Sequence, residues 1–194
     1  MTSSLFVYEY LIGGGLDAAP GDAGERAALL AAGLAMRQAL VAELAAQPEL
    51  ALRYACGADV PADAAAPTRA LRPRPDEAPG AFVRRAAAQH ERVWVIAPES
   101  DGRLRALAAQ VDAERWIGCT PAAIALCSGK RATLAHLAAH RLPTPLAFDA
   151  GATRWVVKPD DGAGTLATRR HARRADAQAD WRARRARGAS ATLE

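Results

Sequence analysis

The sequence predicts an α/β fold, a parallel helix-covered sheet, followed by a smaller α+β region. Three observations predict it. Short apolar runs at 4–10, 50–56, 91–97 and 115–119 alternate with helical stretches at 23–46, 82–90 and 101–111, and β-α alternation is the pattern of a parallel sheet with helices on its faces. The alternation stops near residue 120, where two short helical stretches lead into a hairpin pattern. A chain of 194 residues has room for one ordinary domain, or for one domain plus part of another. The expected division is therefore 1–119 and 120–194.

Each element has its own signal. SLFVYEY, residues 4–10, is an apolar run that ends in charge, as a buried strand does on leaving a sheet. Gly13, Gly14 and Gly15 form a flexible turn. Leu29, Leu30, Leu34, Leu40, Val41 and Leu44 recur at helical spacing among alanines, with Asp22 placed to cap that helix. LALRYAC, 50–56, is the second strand, and the Pro-, Ala- and Asp-rich stretch 57–80 reads as loop. Residues 82–90 fit a helix, ERVWVIA at 91–97 is the clearest central strand, 101–111 is an amphipathic helix, and RWIGC at 115–119 is a weak strand. Helices at 121–126 and 131–140 break near Ser128-Gly129 and end at the sharp exit Leu142-Pro143-Thr144-Pro145. RWVVK (154–158) and TLATRR (165–170) read as strands joined by the loop 159–164 in an antiparallel hairpin, and a helix follows over 175–187. Ligands of parallel sheets bind outside the carboxyl ends of the strands. Glu9 with the glycines, Pro98 with Glu99, and Cys119 with Thr120 are expected on that edge.

Composition narrows the function classes. Of 25 Lys and Arg residues only Lys130 and Lys158 are lysine. Arginine has replaced lysine nearly everywhere, so a surviving lysine marks a place where a compact ammonium is wanted rather than a planar fork; two surface lysines left by chance are the plain alternative. Residues 1–100 carry 9 Arg against 12 Asp and Glu, whereas 169–194 carry 8 Arg against Asp176, Asp180 and Glu194. The pI of about 9.3 thus belongs to the C-terminal segment. Cys56, Cys119 and Cys127 are odd in number and lack CxxC spacing, which argues against a disulfide framework or zinc site and for buried small residues. The sequence shows no apolar run of the roughly 18 residues that span a bilayer and no N-terminal leader pattern. A cytoplasmic protein without membrane association is the expectation.

The order of motifs resembles the N-terminal half of an ATP-grasp ligase. The stretches that carry the resemblance are Ser128-Gly129-Lys130 through Leu142-Pro143-Thr144-Pro145, and Val157-Lys158-Pro159-Asp160-Asp161-Gly162-Ala163-Gly164. The opening FVYEYLIGGG, 6–15, is similar to the start of the subgroup that includes tyramine–glutamate ligase of methanofuran-type cofactor synthesis. The resemblance implies a Rossmann-like pre-ATP-grasp domain over 1–119, then linker helices and the incomplete first part of an ATP-grasp nucleotide domain over 120–194. It implies ATP and Mg2+ as cofactors, an amino-acid-like substrate and amide formation through an acyl phosphate. Gly129 departs from the Asp that usually precedes the first lysine. The family's Mg2+ ligands, a Glu and then Glu-x-Asn, have no counterpart here and are expected beyond the end of this chain, so the chain reads as a portion that does not complete catalysis alone.

By that resemblance Lys130 and Lys158 reach ATP phosphates, and Gly162, Ala163, Gly164 and Thr165 fold over them. Glycines suit that task because backbone N–H groups then approach oxygen anions closely; a tight hairpin is the plain alternative. Asp160 and Asp161 read as solvated turn residues. Glu9 with Gly13, Gly14 and Gly15 is the candidate substrate end, a carboxylate for an amine beside backbone N–H groups, or else an ordinary strand-to-loop turn. Gly-Gly-Gly-Leu-Asp lacks the spacing of a dinucleotide fingerprint. His136 and His140 stand i, i+4 without a third ligand and read as a surface pair, and Trp94, Trp116 and Trp155 read as strand packing. The rival from another class is a non-catalytic module that binds a polyanion or partner through the Arg-rich segment. No nucleic-acid motif accompanies that segment, so nucleic acid is not expected. The oligomeric state is open, a homo-oligomer included.

Overall fold

The computed structural model describes residues 2–16, 22–145, 151–162, 165 and 167–194. The chain divides into two compact units, 1–98 with 103–119, and 99–102 with 120–194.

The first unit is a five-stranded, all-parallel sheet of order β3-β2-β1-β4-β5, with β1 Ser3–Glu9, β2 Leu50–Ala55, β3 Ala70–Leu71, β4 Arg92–Ile96 and β5 Trp116–Ile117. β1 is central and buried on both faces, hence its unbroken apolar run. Its alternate residues feed two cores: Phe6 and Tyr8 pack with Phe82, Val83, Val93 and Leu107, whereas Leu5 and Val7 pack with Val41, Leu52 and Tyr54. Helices α2 (Pro79–Ala87) and α3 (Arg103–Ala108) cover the first face, and α1 (Ala23–Ala45) covers the second. This is the Rossmann-like arrangement expected of a pre-ATP-grasp domain.

Asp22 caps α1 as its sequence position requires. Its carboxylate accepts the Glu25 N–H at 2.9 Å, and the Glu25 carboxylate accepts the Asp22 N–H at 2.9 Å. Two features depart from the sequence reading. β3 lies inside the stretch expected to be loop; two residues give no periodicity to read. Also, α1 is long and apolar enough to cross a membrane by length and composition, with a mean hydropathy of 1.4. Leucine and alanine together supply that value, and α1 turns Gly33, Arg37 and Val41 onto the sheet.

The second unit is a three-stranded antiparallel sheet of order β7-β6-β8, with β6 Trp155–Pro159, β7 Arg169–His171 and β8 Ala191–Leu193. Helices α4 (Pro121–Ser128), α5 (Lys130–Ala139) and α6 (Arg174–Ala186) accompany it. The expected hairpin pairs β6 with β7, but β7 begins later than the TLATRR run. Thr165 and Ala167 hold φ of 58° and 53°, which is turn rather than strand geometry. β8 was not anticipated. α6 covers one face of this sheet: His171 Nε2 lies 3.0 Å from an Asp180 oxygen, and Trp181 Nε1 donates to the Ala191 carbonyl at 2.9 Å.

Candidate functional site

The pleat decides which side of the second sheet carries chemistry. Val157 is fully buried on the α6 side, so its neighbour Lys158 projects from the other face. Thr192 stands directly opposite Lys158 and shares that face, as does Glu194 opposite Val156. Lys158 Nζ lies 2.8 Å from the Glu194 carboxylate oxygens, with the lysine side chain 25% exposed and the glutamate 11%.

Lys130 approaches the same hairpin from α5. Its ammonium donates to the Gly162 carbonyl at 2.7 Å and the Asp160 carbonyl at 3.3 Å. An ammonium has three donors, and two are directed at the backbone that follows Lys158-Pro159. Both lysines therefore belong to one hairpin, one as a residue of its strand and the other as a brace across its loop. Gly162 and Thr165 are parts of that loop; Ala163 and Gly164 lie outside the described residues.

Asp160 is not the solvated turn residue that its position suggests. Its carboxylate oxygen Oδ1 accepts the Arg131 N–H and the Thr192 hydroxyl, each at 2.7 Å. Burial opposes ionisation of Asp160, but these hydrogen bonds and the charges of Arg131 and Lys130 outweigh it and hold the carboxyl below its ordinary range. Asp161, which is exposed, accepts the Asp101 N–H at 2.9 Å. Beside this cluster a cleft of about 370 Å3 opens among Arg131, Trp155, Trp181, Arg182, Thr192 and Glu194. Sequence reasoning missed Asp160, Thr192 and Glu194; the nearest signal was the acidic pair that follows Lys158-Pro159.

In the first unit the glycine turn forms one wide loop, Leu11–Gly15, closed by the Gly15 N–H on the Tyr10 carbonyl at 2.8 Å. A Cβ on Gly13 would fall 2.6 Å from the Tyr8 ring, and one on Gly15 would overlap the Tyr10 ring. Gly14 has φ 117°, a conformation reserved for glycine. Gly14 also lines a cleft of about 670 Å3 with Leu11, Leu16, Gly57, Val60 and Pro73, at the carboxyl ends of β1 and β2. Glu9 faces inward. It is 3% exposed and accepts the Ile12 N–H at 2.9 Å, and its burial raises the carboxyl above the usual range. The Glu9 carboxylate thus fastens the glycine turn from beneath.

The other singled-out residues are readily placed. Cys56 is buried, whereas Cys119 and Cys127 are exposed, so the expectation of buried cysteines holds for one of the three. His136 and His140 are exposed, with ring centroids 4.3 Å apart. Among the described residues no group of three or more His, Cys, Asp or Glu could hold a metal ion. Several arginines of the basic segment are engaged within the unit: Arg184 is buried against Asp180 at 3.0 Å, Arg173 pairs with Asp176 at 2.8 Å, and Arg185 lies over the Trp181 ring.

Residues 51–124 match the family model of the pre ATP-grasp 3 domain. The matched stretch runs from β2 into α4, is shorter than half of the chain, and includes neither lysine. It supports membership of the ATP-grasp superfamily and a ligase-type function in general terms. Neither the curated proteins nor the solved structures gave a match.

Proposed function

We propose that this chain carries the phosphate-holding part of an ATP-dependent carboxylate–amine ligase. The observation that supports it is the hairpin with two ammonium groups: Lys158 projecting from β6 and Lys130 bridging the loop that follows. In such a ligase a carboxylate oxygen attacks the γ-phosphorus of ATP, giving an acyl phosphate and ADP. An amine nitrogen then attacks the acyl carbon, phosphate leaves, and an amide remains. The protein's part is to place the groups and neutralise developing charge. Lys158 and the third donor of Lys130 suit phosphate oxygens, and Gly162 stands next to Lys130, whose ammonium its carbonyl accepts. Among the described residues no group of three or more His, Cys, Asp or Glu could hold a metal ion, and no step is assigned to Mg2+. The cleft beside Gly14 is the proposed place for an amino-acid-like substrate, with backbone rather than the buried Glu9 carboxylate as its polar wall. Tyramine and glutamate are the sharpest version of that substrate pair.

The test is equilibrium dialysis of the full chain against ATP and pyrophosphate. Each charge-assisted contact is worth roughly 1.5–3 kcal/mol, so Lys158→Ala should weaken binding about tenfold to a hundredfold, and Lys130→Ala by a comparable factor. Equal binding by wild type and Lys158→Ala would remove the hairpin from the nucleotide site. Steeply salt-dependent RNA binding with no response to nucleotide would favour the polyanion-binding alternative.

A further inference from the structure

We propose that Asp160 is the positioning residue that sets both lysines, acting as a cap for α5 supplied from outside the helix. The helix needs one. Its N-cap is Gly129, which has no side chain to accept the orphan N–H groups of the first turn. Asp160 meets two of them, accepting the Lys130 N–H on its carbonyl at 3.1 Å and the Arg131 N–H on its carboxylate at 2.7 Å. A carboxylate is the favoured group at that positive helix end. The same carboxylate oxygen accepts the hydroxyl of Thr192, which is 4% exposed on β8. Two residues further along, Glu194 holds Lys158.

One side chain therefore joins α5, which delivers Lys130, to the strand β8, directly after which Glu194 sets Lys158. It also fills the anion position at the start of α5. Phosphate oxygens are left to the two ammonium groups and not to the helix end. The effect on nucleotide binding rests on the ligase reading; the fastening of α5 does not.

Three variants of the full chain separate these elements: Asp160→Ala, Asp160→Asn and the milder Thr192→Val. An asparagine oxygen can still accept both hydrogen bonds while the negative charge is gone. ATP affinity and the amide exchange rate of Arg131 are the two readouts. Asp160→Ala should weaken ATP binding about tenfold, the equivalent of one hydrogen bond to a charged group, and speed Arg131 exchange. Asp160→Asn should bind ATP at least as well as wild type and keep Arg131 protected, and Thr192→Val should fall between wild type and Asp160→Ala. If Asp160→Ala does not fold, the contrast of Asp160→Asn with Thr192→Val decides.

Tighter ATP binding in both Asp160 variants would mean that the carboxylate merely repels phosphate, and the proposal is then wrong. Unchanged Arg131 exchange in Asp160→Ala overturns it as well, as does Asp160→Asn behaving like Asp160→Ala. Should wild type bind no ATP, the ligase reading fails by itself, and Arg131 exchange alone still judges Asp160.

Discussion

Gly33→Ala tests whether Glu9 is fixed beneath the glycine turn. On propensity alone an interior helical Gly→Ala change stabilises by about 0.8–1 kcal/mol. Here the new Cβ would stand 2.8 Å from Glu9 Oε2 and 3.2 Å from Ile12 Cγ2. Neither neighbour yields easily. Oε2 is held by the Ile12 N–H at 2.9 Å, and Ile12 is itself fully buried. Overpacking of that kind costs about 1–3 kcal/mol, and loosening a hydrogen bond to a buried carboxylate adds about 1.5–3 kcal/mol. The expected net effect is destabilisation by about 1.5–5 kcal/mol, propensity gain included. Urea unfolding followed through amide exchange of β1 reports on the first unit alone. In a double-mutant cycle, Glu9→Ala should relieve the crowding, so that the pair is less than additive by about 1 kcal/mol or more. A Gly33→Ala variant that gains the full propensity benefit would show that Glu9 is free to move, and the account of the turn would be wrong.

Other outcomes follow from the same geometry. Glu194→Gln breaks the Lys158 ion pair, which is 25% and 11% exposed at its two side chains; pyrophosphate affinity should rise about fivefold, equivalent to roughly 1 kcal/mol for a part-exposed pair, and unchanged affinity in dialysis would show that the pair does not compete with anions. Hydrogen bonds from Arg85 at 2.8 and 2.7 Å hold the Glu77 carboxyl down at about 2, from an ordinary 4.5. Because the folded value is depressed, this pair's stabilisation is complete above pH 4.5 and is lost as pH falls through about 2. Glu77→Gln should therefore flatten that acid limb by about 1 kcal/mol after solvent screening, as read by urea midpoints; a limb of the same slope would count against the pair.

How much the sequence discloses depends on how far apart the partners lie. β1, α1 and β4 announce themselves because their burial is written in consecutive residues, as apolar runs or helical spacing. β3 and β8 do not, because two and three residues carry no period and their pairing is a backbone property. The lysines stood out by their rarity, yet their setting did not, since Asp160 meets Arg131 and Thr192 from 29 and 32 positions away.

Glu9 shows the same difficulty from the other side. A carboxylate at a strand end beside three glycines reads as open to a ligand, and the structure turns it inward to hold the turn that those glycines form. The clue lay in α1, where Gly33 interrupts a leucine- and alanine-rich helix at a cost of about 1 kcal/mol relative to alanine. A mid-helix glycine among good helix formers marks the close approach of another group. Asp160 has its own clue of this sort in Gly129, an N-cap without a side chain, whose partner must come from elsewhere in the chain. In both places a missing side chain locates a carboxylate that arrives from a distant element. The glycines of this chain therefore record tertiary contacts that its charged residues, taken one by one, do not.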